Sequence, residues 1–296
     1  MDLPARPYQA VRKKLNLSPG ALFALHYHHL FHYPLKKEEL KKWEAGEALW
    51  QGLAGTVVSA KDGYFFLDAK AELVVERKIK EKLSQEKRAI AEKAARLLAK
   101  IPTVQMVGIT GSLAMEAAAA NDDIDLIIIT SPGTLWTTRA LSYLFLFLGG
   151  LSIRRFGEGK VKDKLCLNIW LDSDNLVWEK AQRNVYTAHE IAQIVPLVNK
   201  TRTYERFLAA NAWHKKFWPN AVKVPRFTSK ADEVIQKPNK LKAQLLFRVL
   251  EPLAYGLQYF YMRKKITREE VSRHKALFHP QDWSQTVAEF LKVDTP

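Results

Sequence analysis

The sequence predicts an α+β fold on a small mixed sheet, and three observations carry that expectation. Two short apolar runs, Val104–Ile109 and Leu126–Ile129, are rich in β-branched residues and bounded by turn residues, as buried strands are. Lys164–Leu171 has the character of a further strand. Around these runs lie segments with apolar residues at helical spacing. The longest is Leu73–Lys100, with Ile79, Leu83, Ile90, Ala94, Leu97 and Leu98.

Taken in order, residues 1–16 form a basic, proline-containing lead-in expected to be loosely held. Ser18 is placed as an N-cap with Pro19 in the first turn, so a helix runs through Ala21–Phe31. Tyr33-Pro34-Leu35 breaks it, Lys37–Trp43 forms a second helix, and Glu47–Leu53 forms a third. Val57-Val58, a turn at Lys61-Asp62-Gly63, and Tyr64–Leu67 read as a β-hairpin, because Asp-Gly suits a tight turn. Three short helices and a hairpin over residues 17–75 resemble a winged helix-turn-helix. The segment in the recognition-helix place, 47–54, has almost no Arg or Lys for base edges or phosphates. Lys36, Lys37, Lys41 and Lys42 sit earlier, so a DNA-reading role and a protein-docking role both stay open. Residues 76–101 are expected as a connecting helix that Pro102 ends, 102–180 as a sheet-based core, and 181–296 as a helical C-terminal domain. In that last part, Thr187–Val195, Thr203–Phe217 and Leu241–Lys265 read as helices, with a linker or loop at Val222–Asn239.

The chemistry concentrates in 108–130. Gly111 and Ser112 make a small-residue turn after the first apolar run, and Leu113–Ala120 is short enough for one or two helical turns. Asp123 and Asp125 then open the second run. Residues i and i+2 of a strand face the same side, so the two carboxylates converge on one spot. Paired hard oxygen ligands of this kind suit divalent cations. Strand, Gly-Ser turn, short helix and Asp-x-Asp strand together resemble the signature of the DNA polymerase beta-like nucleotidyltransferase superfamily. The resemblance implies Mg²⁺ (or Mn²⁺) on Asp123 and Asp125, and β/γ phosphates of an NTP at Gly111 and Ser112. It also implies transfer of a nucleoside monophosphate to an acceptor hydroxyl. A third carboxylate is usual in that superfamily on a later strand. Here the central polar residue of that strand is Asn168, with Asp163 just before it and Asp172 and Asp174 just after. An amide coordinates a metal but takes no proton near neutral pH, so Asp163 and Asn168 are both candidates to complete the site. A nucleotide-binding, catalytically degenerate regulator associated with nucleic acid is the alternative that Asn168 raises. A transferase acting on small molecules is another.

The chain has 296 residues, room for two or three small domains. Its 46 Lys and Arg against 31 Asp and Glu give a net charge of +15, which favours polyanionic partners, nucleic acid (DNA or RNA) among them. Arg139, Arg154 and Arg155 are candidates for triphosphate contact. Cys166 is the only cysteine, so neither an intramolecular disulfide framework nor a cysteine-based metal site is expected, and the count agrees with a reducing cytoplasm. The apolar stretch Leu141–Ile153 is too short to span a bilayer. His26, His28, His29 and His32 cluster in sequence, yet only His28 and His32 share a helix face, and ring packing is the expectation. His189-Glu190 lacks the second histidine of a zinc-protease helix and is expected in a first helical turn capped by Thr187. Phe207, Trp213 and Phe217 are expected to pack as the apolar side of one helical region, while Tyr204, Arg206, Lys215, Lys216 and Trp218 complete its aromatic and basic mixture.

Overall fold

Strand β6 (Ile124–Thr130) lies at the centre of the computed structural model, which describes residues 11–12, 17–47, 57–68, 70–222, 241–264, 266, 269–278 and 283–292. Leu126 and Ile128 face one side of the sheet and Ile127 and Ile129 the other, and all four are fully buried. Between Leu126 and Ile129 the strand is covered on both faces and has no solvated side, which explains the unbroken apolar run there. β6 pairs antiparallel with β5 (Val104–Ile109) and parallel with β7 (Leu165–Asp172). With β8 (Val195–Asn199), β9 (Glu270–Val271) and β10 (Lys275–Leu277), the six strands run in the order β8-β5-β6-β7-β10-β9.

The mixed sheet is therefore wider than expected. The segment 181–296, read from the sequence as helical, contributes three of its strands. Val195-Pro196-Leu197-Val198 is a short apolar run after a helix, and periodicity alone does not separate such a run from a continuing helix. Pro196 lacks the N–H a central strand needs, and β8 accordingly lies at the sheet edge.

Helices cover both faces. Residues of α3 (Glu72–Leu98) and α5 (Leu135–Leu148), with Phe247, Ala254 and Tyr255 of α8 (Leu241–Met262), pack in one core with Leu126 and Ile128. Residues of α6 (Val185–Gln193) and α7 (Thr203–Ala210) pack in the other with Ile127 and Ile129. Phe207 is fully buried there, in the packing role expected of it, and Tyr204 and Trp218 are also buried. Arg206 lies beside Ser173, its Nη2 donating to the Ser173 carbonyl at 3.1 Å. Among the described residues no helix is long and apolar enough to cross a membrane.

The N-terminal part follows its local signals closely. α1 spans Pro19–His29, with the Ser18 hydroxyl accepting from Ala21 N, and α2 spans Lys37–Lys42. β3 (Val58–Lys61) and β4 (Tyr64–Leu67) form the hairpin, and both central turn residues, Asp62 and Gly63, have positive φ as a type I′ turn requires. Two further strands extend it. β1 (Val11–Arg12), inside the expected loose lead-in, pairs with β3, and β2 (Leu35–Lys36) pairs with β4. The expected third helix lies outside the described residues beyond Glu47, as does most of the 222–239 linker. Phe23, Tyr27 and Trp43 share a core with Val185, Ala188 and Trp218, so this module is packed directly on α6.

A buried cation fastens the module to the loop that follows α4 (Gly111–Ala114). Arg77 of α3 is 2% exposed; its Nη2 lies 3.0 Å from Glu39 Oε1 and 3.3 Å from Glu81 Oε1, and its Nη1 donates to the Glu116 carbonyl. The Tyr33 hydroxyl lies 2.7 Å from the Met115 carbonyl oxygen, and Lys87 Nζ donates to the Ala120 carbonyl at 3.3 Å. With these carbonyls engaged by side chains, and Glu116 at a φ of +53°, the short helix stops after one turn. Removing one member of such a buried network leaves uncompensated charge. Arg77→Ala is expected to destabilise the protein by about 3–5 kcal/mol in urea unfolding. Adding Glu39→Gln should cost much less in that background than in the wild type, the non-additivity of a shared network.

Candidate functional site

Gly111 sets the geometry of the site. It opens α4 at a φ of +61°, and a Cβ at that position would lie 2.6 Å from Asp125 Oδ2. Backbone conformation and close approach thus both require glycine. Asp123 immediately precedes β6 and Asp125 is its second residue, so the Asp-x-Asp pair does lie at a strand beginning. Asp123 Oδ2 accepts from Arg154 Nη1 at 2.7 Å, and Asp125 Oδ1 accepts from Asn168 Nδ2 at 2.7 Å. Parallel pairing of β6 with β7 sets Asp125 opposite Cys166, with Asn168 two residues further along the same face. One ligand atom each from Asp123, Asp125 and Cys166 lie within 4.8 Å of one another. Among the described residues this is the one such cluster of three or more His, Cys, Asp or Glu ligands.

The two candidates for completing the site separate here. Asn168 joins the carboxylate pair. Asp163 occupies a left-handed turn position, at a φ of +59°, and its Oδ1 lies 2.6 Å from Lys87 Nζ. Lys87 also donates to the Asp122 carbonyl at 2.7 Å, so Asp163 is spent on fastening the loop. It does not line the cavity. Ser112 lines the cavity, while its hydroxyl donates to Asp122 Oδ2 at 3.2 Å.

That cavity has a volume of about 550 Å³ and lies between the N-terminal module and the sheet. Gly111, Asp123, Asp125 and Asn168 form its polar end; Tyr27, Phe31, Tyr186 and Trp283 supply aromatic surface, with Phe31 and Trp283 edge to face at 5.8 Å. Arg77, Lys80 and Arg154 bring positive charge. Comparisons with protein-family models, curated proteins and solved structures give no match. The geometry of this cavity is thus what a functional reading has to rest on.

Other singled-out residues have structural roles. Arg139 is tied to Gln258 at 2.6 Å and does not line the cavity, whereas Arg155 is exposed. His28 Nδ1 donates to the Ala24 carbonyl at 2.7 Å, which leaves its Nε2 to accept from His189 Nε2 at 3.2 Å. The His189 ring stacks on Trp43 at 3.9 Å between centroids. Burial pushes His28 down to about 3 and His189 well below its ordinary value, so the pair is neutral packing. The α6 cap is Asn184, not Thr187: the Asn184 side chain accepts from Thr187 N at 2.9 Å.

Two residues escaped the sequence reading. Cys166 is one: a lone cysteine was expected to form no metal site, yet pairing of β6 with β7 sets it opposite Asp125 in the cluster of possible ligands. Glu190 is the other, a cavity-lining carboxyl one position beyond the packed His189. Burial, then the charge of Asp125, pushes Glu190 up to about 8. Burial, then the neighbouring Asp123, pushes Asp125 up to about 7, and burial with both carboxylates raises the Cys166 thiol.

A carboxyl raised in the folded state stabilises the protein below its unfolded pKa, near 4. That stability is lost as pH rises through 7 to 8, because the folded state must then surrender protons it holds more tightly. Glu190→Gln, which keeps an acceptor for Gln193 Nε2, removes one such group. Relative to the wild type it should gain about 1–3 kcal/mol between pH 5 and pH 9, read by denaturant unfolding at each pH.

Proposed function

We propose that this protein is a metal-dependent nucleotidyltransferase, moving a nucleoside monophosphate from an NTP to an acceptor hydroxyl inside the cavity. The observation that carries the reading is the convergence of Asp123 and Asp125 beside a glycine turn that leaves the Asp125 carboxylate uncovered. A two-carboxylate donor set fits Mg²⁺ or Mn²⁺, which supplies charge neutralisation for a triphosphate and polarises the attacking hydroxyl. Asp123 and Asp125 hold the ion. Backbone at Gly111 and Ser112 takes the β and γ phosphates, and Arg154, which rests on Asp123, is the nearest cation for phosphate oxygens.

In the reaction the acceptor oxygen bonds to the α-phosphorus and the α–β phosphoanhydride breaks, releasing pyrophosphate. The proton of the hydroxyl needs an acceptor that Asn168 does not provide. Glu190 takes that part: it is the further carboxyl lining the cavity, and its affinity for a proton lies near neutrality. Tyr27, Phe31, Tyr186 and Trp283 offer faces on which a nucleobase stacks. A second reading, nucleotide binding without transfer, is favoured by one observation: Asn168 stands on β7 where the resembled superfamily carries a carboxylate.

Incubation with Mg²⁺ or Mn²⁺ and each α-labelled NTP, with RNA, DNA and small hydroxylic acceptors, decides between them. Transfer of label is expected, falling roughly hundredfold or more in Asp125→Asn, since several kcal/mol of charge stabilisation goes with the ligand. Binding of the metal–NTP complex with no transfer to any acceptor would establish the second reading.

A further inference from the structure

We infer that the cation site is completed by the Cys166 sulfur and the Asn168 carbonyl oxygen, which makes it a site for a thiophilic divalent cation of the zinc class. The inference rests on the reading of Asp123 and Asp125 as cation ligands and concerns which ion they hold. The geometry comes first. Parallel register sets Cys166 opposite Asp125, and its sulfur and one oxygen from each aspartate lie within 4.8 Å of one another. Three donors in so small a volume can converge on one ion.

A second observation points to a ligand independently. Asn168 is 3% exposed, and while its Nδ2 donates to Asp125, its Oδ1 is buried without a hydrogen-bond partner. Leaving a buried carbonyl oxygen unpaired costs its full desolvation, which a partner in the cavity would offset. Asn168 also lines the cavity beside the carboxylates, so a cation there supplies the missing partner to that amide.

Donor chemistry then selects the ion. Oxygen-only sites suit Mg²⁺, Ca²⁺ and Mn²⁺, whereas thiolate ligands favour softer ions. Where β7 lines the cavity the chain offers a thiol and an amide, at Cys166 and Asn168; the strand's own carboxylate, Asp172, does not line it and accepts from Gly133 N. The two carboxylates, the thiolate and the amide oxygen make a set of three oxygens and one sulfur, with the carboxylate and thiolate donors that Zn²⁺ accepts. On binding, the thiol proton leaves to solvent and the sulfur takes its place as a metal ligand. Arg154, paired with Asp123, offsets part of the negative charge that accumulates.

Cys166 is the only cysteine of the chain, so a thiolate–metal signal has one source. The full-length protein is titrated with Co²⁺ and the near-ultraviolet thiolate-to-cobalt charge-transfer band is recorded. Zn²⁺, Mn²⁺ and Mg²⁺ affinities are measured by competition with a chromophoric chelator. The wild type should show the band. Cys166→Ser should lose it and bind Zn²⁺ at least about tenfold more weakly, with Mn²⁺ affinity little changed. Cys166→Asp should also lack the band while gaining Mg²⁺ affinity, because it supplies a third carboxylate. Melting curves without metal establish that both variants are folded. A cobalt-saturated wild type without the band, or equal Zn²⁺ affinity in wild type and Cys166→Ser, would overturn the inference and leave the carboxylate site standing. If Asp123→Asn and Asp125→Asn bind Mn²⁺ as well as the wild type, the underlying carboxylate reading is the part that fails.

Discussion

Asp125 enters the sheet where its carboxyl lines the cavity yet is desolvated enough to hold its proton more tightly, and much of the site answers to that position. Gly111 has no side chain because Asp125 Oδ2 occupies the space a Cβ would need. Asn168 turns its amide nitrogen to Asp125 Oδ1. Asp123 sits close enough to raise the proton affinity of Asp125 further, and Arg154 offsets this by pairing with Asp123. A carboxylate so placed strongly favours a divalent counter-ion, since burial without one penalises the charged form.

The N-terminal module acquires its meaning from the same cavity. Tyr27, Phe31 and Tyr33 come from this module, and they line the space in front of Asp125. Its buried contacts with α6, together with the Arg77 network, fix that wall relative to the sheet. Those contacts give residues 17–47 a role in shaping a pocket.

Legibility in the sequence followed the range of the interactions involved. The Ser18 cap, the Asp62-Gly63 turn and the apolar run of β6 are set within a few residues, and the chain states them openly. Gly111, Asp123 and Asp125 were legible because their chemistry demands small residues and paired carboxylates at fixed spacing. Asp163 and Asn168 could not be separated that way. Lys87, 76 residues earlier in the chain, captures Asp163, and such a contact leaves no local trace. β8, β9 and β10 were hidden for a related reason, since their pairing partners lie far away in sequence. Glu190 stood beside a histidine that drew attention to the wrong chemistry; both line the cavity, and the packing of the His189 ring on Trp43 and His28 is what ties that ring up.

The central claim is that the Asp123–Asp125 end of the cavity binds a cation and a nucleoside triphosphate together, with Gly111 leaving room for both. The most direct measurement is Mn²⁺ binding followed by the electron paramagnetic resonance of the free ion, with and without a non-hydrolysable NTP. The comparison is between the wild type and Gly111→Ala. The account predicts that the nucleotide tightens Mn²⁺ binding in the wild type and that Gly111→Ala weakens both. Nucleotide binding that is indifferent to the cation, or a Gly111→Ala protein that binds both as the wild type does, would contradict it.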